Sequence, residues 1–85
     1  MDLLEKVKAA LEQYFQPDLL KLEDDDGISG YVVAQQFRGM SSLDRQTLID
    51  QALRRSKEPL SREENRRVIA IAGLSPEEAI ASGVS

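Results

Sequence analysis

Four short segments of this 85-residue chain repeat one arrangement, a side-chain oxygen suited to cap a helix followed three residues later by a carboxylate that can reach back to the cap amide. They are Asp2/Glu5, Ser41/Asp44, Ser61/Glu64 and Ser75/Glu78, and Pro76 strengthens the last by standing at the first helical position, where a missing N–H costs nothing. Helix starts spaced this closely leave room only for short strands and turns between them. The stretch that ties them together is Tyr31 to Leu53, which reads as a buried strand, a turn at Gly39 and a capped amphipathic helix.

Taken in order, Leu4, Val7, Leu11 and Tyr14, with Leu3 and Ala10 beside them, recur at helical spacing and predict a first helix from about Leu3 to Phe15, stopped by Pro17. Asp18 to Glu23 alternates, Leu20 and Leu22 against Leu19, Lys21 and Glu23, as a strand with one face buried. Asp24-Asp25-Asp26-Gly27 and Gly30 then predict a polar connection, longer than a two-residue turn and mobile, before a second strand from Tyr31 to Phe37 that pairs antiparallel with the first. The next helix, from about Ser42 to Arg55, puts Leu48, Ile49, Ala52 and Leu53 on one face with Arg45 in the middle of that stripe. An arginine there either snorkels past the end of the sheet, pairs with a carboxylate, or serves a ligand. Lys57-Glu58-Pro59 reads as a connector, Arg62 to about Arg66 as a short helix, and Arg67 to Ala72 as a β-branched strand buried on both faces and closed by Gly73. A last helix runs from Pro76 to about Ser82, with Ala79 and Ile80 as its contacts. The two-helix crossover before the third strand makes that strand parallel to the second. The expected fold is α+β in the order α-β-β-α-α-β-α, a three-stranded mixed sheet with helices packed on it, forming one domain over residues 1–85.

Composition narrows function. The chain has neither cysteine nor histidine, which removes thiolate and imidazole metal ligands, thiol nucleophiles and the commonest general base near neutral pH. No apolar run approaches the ~20 residues of a membrane helix, and the acidic N-terminal residues are unlike a signal peptide, so a cytoplasmic protein without a membrane association is expected. The net charge of −4 is unevenly spread: residues 1 to 37 carry eight acidic and three basic side chains, residues 38 to 67 five acidic and eight basic, including all seven arginines. That middle segment is either a cationic surface for a phosphate or an acidic partner, or a pair of solvated helices laced with pairs such as Asp50/Arg54 and Glu63/Arg67.

Chemistry-bearing motifs are otherwise scarce. Aligning Gly27 with the sixth position of a calcium loop puts Leu22 first and Val33 twelfth, so the ligand set fails at both ends. Gly39 has Ser42 where a GxxG nucleic-acid loop needs its second glycine. Ser41, Ser61 and Ser75 are accounted for as helix caps, and no histidine stands by to activate a serine, so no enzyme is expected.

The segment Phe37-Arg38-Gly39-Met40-Ser41-Ser42-Leu43-Asp44-Arg45 and the later Leu74-Ser75-Pro76-Glu77-Glu78 resemble the BolA family, whose corresponding segments look like F-x-G-x-S-L-x-E-R-H and T-P-E-E-W. The resemblance covers the chain from the first helix through Glu78 and implies a fold similar to the class II KH arrangement, in agreement with the order above. It also implies a small regulatory protein that binds monothiol glutaredoxins, some members sharing a [2Fe–2S] cluster through a histidine near the start of the last strand and a cysteine or histidine in the loop between the first two strands. Here those places hold Arg67 and the stretch Asp24 to Gly30, the histidine of the family's Arg-His pair is Gln46, and the terminal tryptophan is Ala79. Arginine does not deprotonate to bind iron and glutamine is a poor substitute, so no cofactor and no cluster ligation are expected. The resulting expectation is a non-catalytic interaction module that contacts a protein, possible partners including a monothiol glutaredoxin, through Arg38, Arg45, Gln46, Arg66 and Arg67. The alternative is a KH-like nucleic-acid-binding regulator that uses the same arginines on phosphates.

Overall fold

The structure, a computed structural model, describes residues 2–56 and 60–83, and the connector Lys57-Glu58-Pro59 lies outside the described residues. Helix α1 (Leu3–Phe15) starts as its cap predicts, with Asp2 Oδ1 accepting the Glu5 amide at 2.9 Å. It ends at Gln16, which adopts a left-handed conformation one residue before Pro17 and donates its amide to the Glu12 carbonyl. The buried stripe is Leu3, Val7, Ala10, Leu11 and Phe15, so Phe15 takes the inward place expected of Tyr14, which is exposed. The reason is tertiary, since Phe15 meets Phe37 with ring centroids 5.1 Å apart.

Strands β1 (Leu19–Asp24) and β2 (Ile28–Val33) pair antiparallel, in register from Leu19 opposite Val33 to Asp24 opposite Ile28. The connection is therefore a turn of Asp25, Asp26 and Gly27, with φ of 56° at Asp26 and 132° at Gly27, and the expectation that it extends to Gly30 is corrected. Gly30 had read as a chain breaker. It sits inside β2 because a Cβ there would lie 2.0 Å from the Lys21 carbonyl oxygen, so only glycine lets the two backbones approach. The strand also ends earlier than expected, at Val33, and Gln35–Phe37 forms a 3₁₀ turn that drops the fully buried Phe37 into the core.

Helix α2 (Ser42–Arg54) is capped by Ser41 and buries Ile49, Ala52 and Leu53. Helix α3 (Arg62–Arg66) opens on the complete capping box of Ser61 and Glu64. Strand β3 (Val68–Leu74) runs parallel to β2. Across it Ile28 faces Val68 but Ser29 faces Ala70, which makes Ile69 the extra residue of a β-bulge. The expectation that β3 is buried on both faces fails, because the helices cover only one face of the sheet: Ile71 and Gly73 are buried against them, while Ile69, Ala70 and Ala72 are exposed, and the strand order β1-β2-β3 leaves β3 at an edge. Gly73 lies within the strand and does not close it: the Phe37 ring lies 2.8 to 3.0 Å from where its Cβ would be. Helix α4 (Pro76–Ala81) is capped by Ser75 and buries Ala79, whereas Ile80, expected to pack, is 78% exposed. A helix of six residues presents little more than one turn to the sheet.

The order α-β-β-α-α-β-α and the three-stranded mixed sheet are those read from the sequence. Helices α1 and α2 pack on each other and on the sheet, enclosing Val7, Leu11, Phe15, Ile28, Val32, Phe37, Ile49, Leu53 and Ile71. No helix among the described residues is long and apolar enough to cross a membrane. Replacing Gly30 with alanine drives a methyl group into the β1 backbone at a positive φ, with a loss of about 2 to 4 kcal/mol expected. Replacing Gly39, around which nothing lies within 4 Å, costs only the left-handed conformation at φ 77°, about 1 to 2 kcal/mol. Urea unfolding of the two variants checks the contrast.

Candidate interaction surface

The arginine in the apolar stripe of α2 turns inward. Arg45 donates from Nε to the Met40 carbonyl at 3.0 Å, and from Nη1 to the Gly73 carbonyl at 3.0 Å and to Glu78 Oε1 at 2.6 Å. Its side chain is 12% exposed, so of the roles open in the sequence it takes the pairing with a carboxylate and presents little of itself to a partner. Glu78 Oε1 also accepts the Ser75 amide at 2.8 Å, which makes the capping box of α4 part of the same network. Next to it, Gln46 Nε2 donates to the Ile71 carbonyl at 2.9 Å. Because the Leu74 carbonyl accepts the Ala34 amide on the β2 side, the carbonyls of Ile71 and Gly73, at alternate positions, point to the free edge of β3. Arg45 and Gln46 thus cover that edge from α2.

The remaining named residues lie toward opposite ends of β3. Arg38 pairs with Glu77 of α4 through two contacts, one of them from Nε to Oε2 at 3.2 Å, on an exposed surface at the end of β3. Arg66 is the exposed last residue of α3, and Arg67 follows it at the start of β3. The Arg67 carbonyl accepts the Ile28 amide at 2.6 Å, while its guanidinium, on a side chain 60% exposed, stands 3.7 Å from Asp24 Oδ2. Seven residues of strand separate the two groups, about 20 Å at the usual rise. Arg38 and Arg45 therefore do not share a contact patch with Arg66 and Arg67.

Sequence reasoning missed two members of the second group. Asp24 had been placed in a solvated turn and Ile69 in a doubly buried strand, yet Ile69 is 62% exposed and lies directly over the turn. A Cβ on Gly27 would come within 2.2 Å of Ile69 Cδ1 and 3.1 Å of the Arg67 carbonyl oxygen. The bare glycine is what allows the bulge to seat against the hairpin. The only sequence signal was the glycine closing an all-aspartate turn, and it said nothing of the strand that would lie across it.

This is the place where the resemblance implies a shared iron–sulfur cluster, and the residues do not fit one. The two expected ligand positions come together as a guanidinium and one carboxylate, and the chain contains no cysteine or histidine. Among the described residues no cluster of three or more carboxylates offers a metal site in its stead.

Three glutamates titrate below their usual range. The Arg45 guanidinium and then the Ser75 amide hold Glu78 down at about 2, the Ser61 amide and then Lys6, 3.0 Å away, lower Glu64, and Arg38 and then its own backbone amide lower Glu77. A depressed carboxyl stabilises the fold fully above its unfolded pKa, near 4.5, and the contribution is lost as pH falls through the folded value. Acid unfolding followed by circular dichroism is therefore expected to lose the Glu78 contribution between pH 4.5 and about 2, and Glu78→Gln to flatten that window while lowering stability at pH 7. In a double-mutant cycle Arg45→Met and Glu78→Gln are expected to be strongly non-additive.

No protein-family model and no curated protein matches the sequence. Solved structures do. A bol-like protein from Babesia bovis is 29% identical, over 93% of this chain and 91% of its own, with a TM-score of 0.66. The solution structure of mouse BolA1 is 26% identical, over the whole of this chain and 74% of its own, with a TM-score of 0.73. BolA1 from Arabidopsis thaliana shares the fold at 20% identity, over 92% of this chain and 96% of its own, with a TM-score of 0.66. With the same order of elements and the same mixed sheet, and with Phe37 to Arg45 and Leu74 to Glu78 at the junctions of that sheet with α2 and α4, the chain has the fold of these BolA-like proteins and is similar to them over nearly its whole length.

Proposed function

We propose that this protein is a non-catalytic, cytoplasmic interaction module that binds a protein partner at the start of β3 without ligating an iron–sulfur cluster. The BolA-like fold supports an interaction or regulatory role. The observation that carries the finer reading is the corner formed by Arg67, Ile69 and the turn Asp24 to Gly27, where an exposed guanidinium stands at one position implied for a ligand and an exposed isoleucine lies over the other. An arginine beside an apolar side chain is a common composition for a protein contact, the apolar group giving affinity and the charge orientation. A monothiol glutaredoxin is the partner proposed from the resemblance, and its docking here would rest on side-chain contacts in place of a shared metal.

A backbone-amide NMR titration with the monothiol glutaredoxin of the same source, in apo and cluster-loaded forms, tests this. Shifts confined to Asp24 to Ile28, Gln46 and residues 66 to 72, equal for both forms, are expected. Ile69→Asp is expected to weaken binding about tenfold or more while leaving the remaining spectrum in place. Absence of shifts with either form overturns the glutaredoxin reading. Binding of a mixed single-stranded oligonucleotide that falls steeply with salt, and is lost on replacing Arg66 and Arg67, would assign the same corner to nucleic acid.

A further inference from the structure

The corner at the start of β3 is dipolar. On one side stand Asp25 and Asp26, exposed in the hairpin turn, and on the other Arg66 and Arg67, also exposed, with Ile69 lying over Gly27 between them. Among the described residues no ion pair engages Asp25, Asp26 or Arg66. The one ion pair across the corner among the described residues, Arg67 to Asp24, is long at 3.7 Å and solvated, so a competing carboxylate exchanges with it at little cost. A surface that sets positive beside negative charge around an apolar centre is its own complement: rotated by a two-fold axis through the centre, each sign meets its opposite and the apolar groups meet each other.

We propose that this corner is a self-association surface, on which a second copy of the chain docks about a two-fold axis so that Arg66 and Arg67 of each copy meet Asp25 and Asp26 of the other and the two Ile69 side chains pack together. The geometry supports this occupant over a uniformly acidic or basic one, which would gain on one half of the corner and be repelled by the other. The patch is small, so the dimer is weak and responds to concentration and salt. The inference does not depend on a glutaredoxin partner. Since both would use Arg67 and Ile69, self-association and partner binding exclude each other, and the dimer holds the module in reserve.

Sedimentation velocity and a dilution series of amide spectra, on the protein alone, test the proposal in about 20 mM and about 500 mM sodium chloride. In low salt, concentration-dependent dimer is expected, with shift changes confined to Asp24 to Ile28 and Arg66 to Ala70 and a dissociation constant that rises at least tenfold in high salt. The exposed charge swaps Arg66→Glu with Arg67→Glu, and Asp25→Lys with Asp26→Lys, are each expected to be monomeric alone, and mixing the two swapped proteins is expected to restore a dimer. A monomer up to about 1 mM in low salt, shifts centred elsewhere, or folded swapped proteins that fail to pair on mixing would overturn it.

Discussion

The contact on which most of this small structure depends is the reach of Arg45 from α2 across the end of the sheet. One guanidinium holds the loop before its own helix at Met40, the last inward-facing residue of β3 at Gly73, and the capping carboxylate of α4 at Glu78. Two stretches distant in sequence, Met40 to Arg45 and Gly73 to Glu78, are thereby fixed by a single side chain. A planar group with five donors is suited to that task, and a lysine, with its donors on one atom, is not. The network also explains why Glu78 stays charged in a partly covered place, since its Oε1 accepts from both a guanidinium and a helix-cap amide.

Because Arg45 is used internally, the seven arginines are not equivalent. Those near α4 serve cohesion: Arg38 binds Glu77 and Arg45 binds Glu78, two neighbouring carboxylates on one helical turn. Those at the other end of β3 remain on the surface beside the acidic hairpin. The arginines that look alike in the sequence therefore include a cohesive group near α4 and an exposed group at the start of β3.

The sequence made the architecture legible through its caps. Asp2, Ser41, Ser61 and Ser75 each accept the amide three residues on, and the helices begin where those residues say they begin. What it could not disclose were features set by a neighbour distant in the chain. Gly30 looks like a turn residue until Lys21 lies against it, Phe15 and Tyr14 are indistinguishable until Phe37 arrives, and RVIAIA looks doubly buried until the helices are seen to cover one face of the sheet only. The candidate site was half legible for the same reason: Arg66 and Arg67 stood out by charge, but Ile69 became part of it only through a bulge that alternation patterns do not register.

The two side chains that α2 lays along β3 also bear on how the protein survives at high concentration. An edge strand with free carbonyls is a template on which other chains can add, the first step toward fibrils. Gln46 and Arg45 occupy the carbonyls of Ile71 and Gly73, and the bulge at Ile69 breaks the ladder just before them, so a growing sheet finds no run of consecutive acceptors on that side. Gln46 thus sets a hydrogen-bond donor over the strand without a group that protonates near neutral pH, and the guard on this edge is insensitive to acidification across the physiological range.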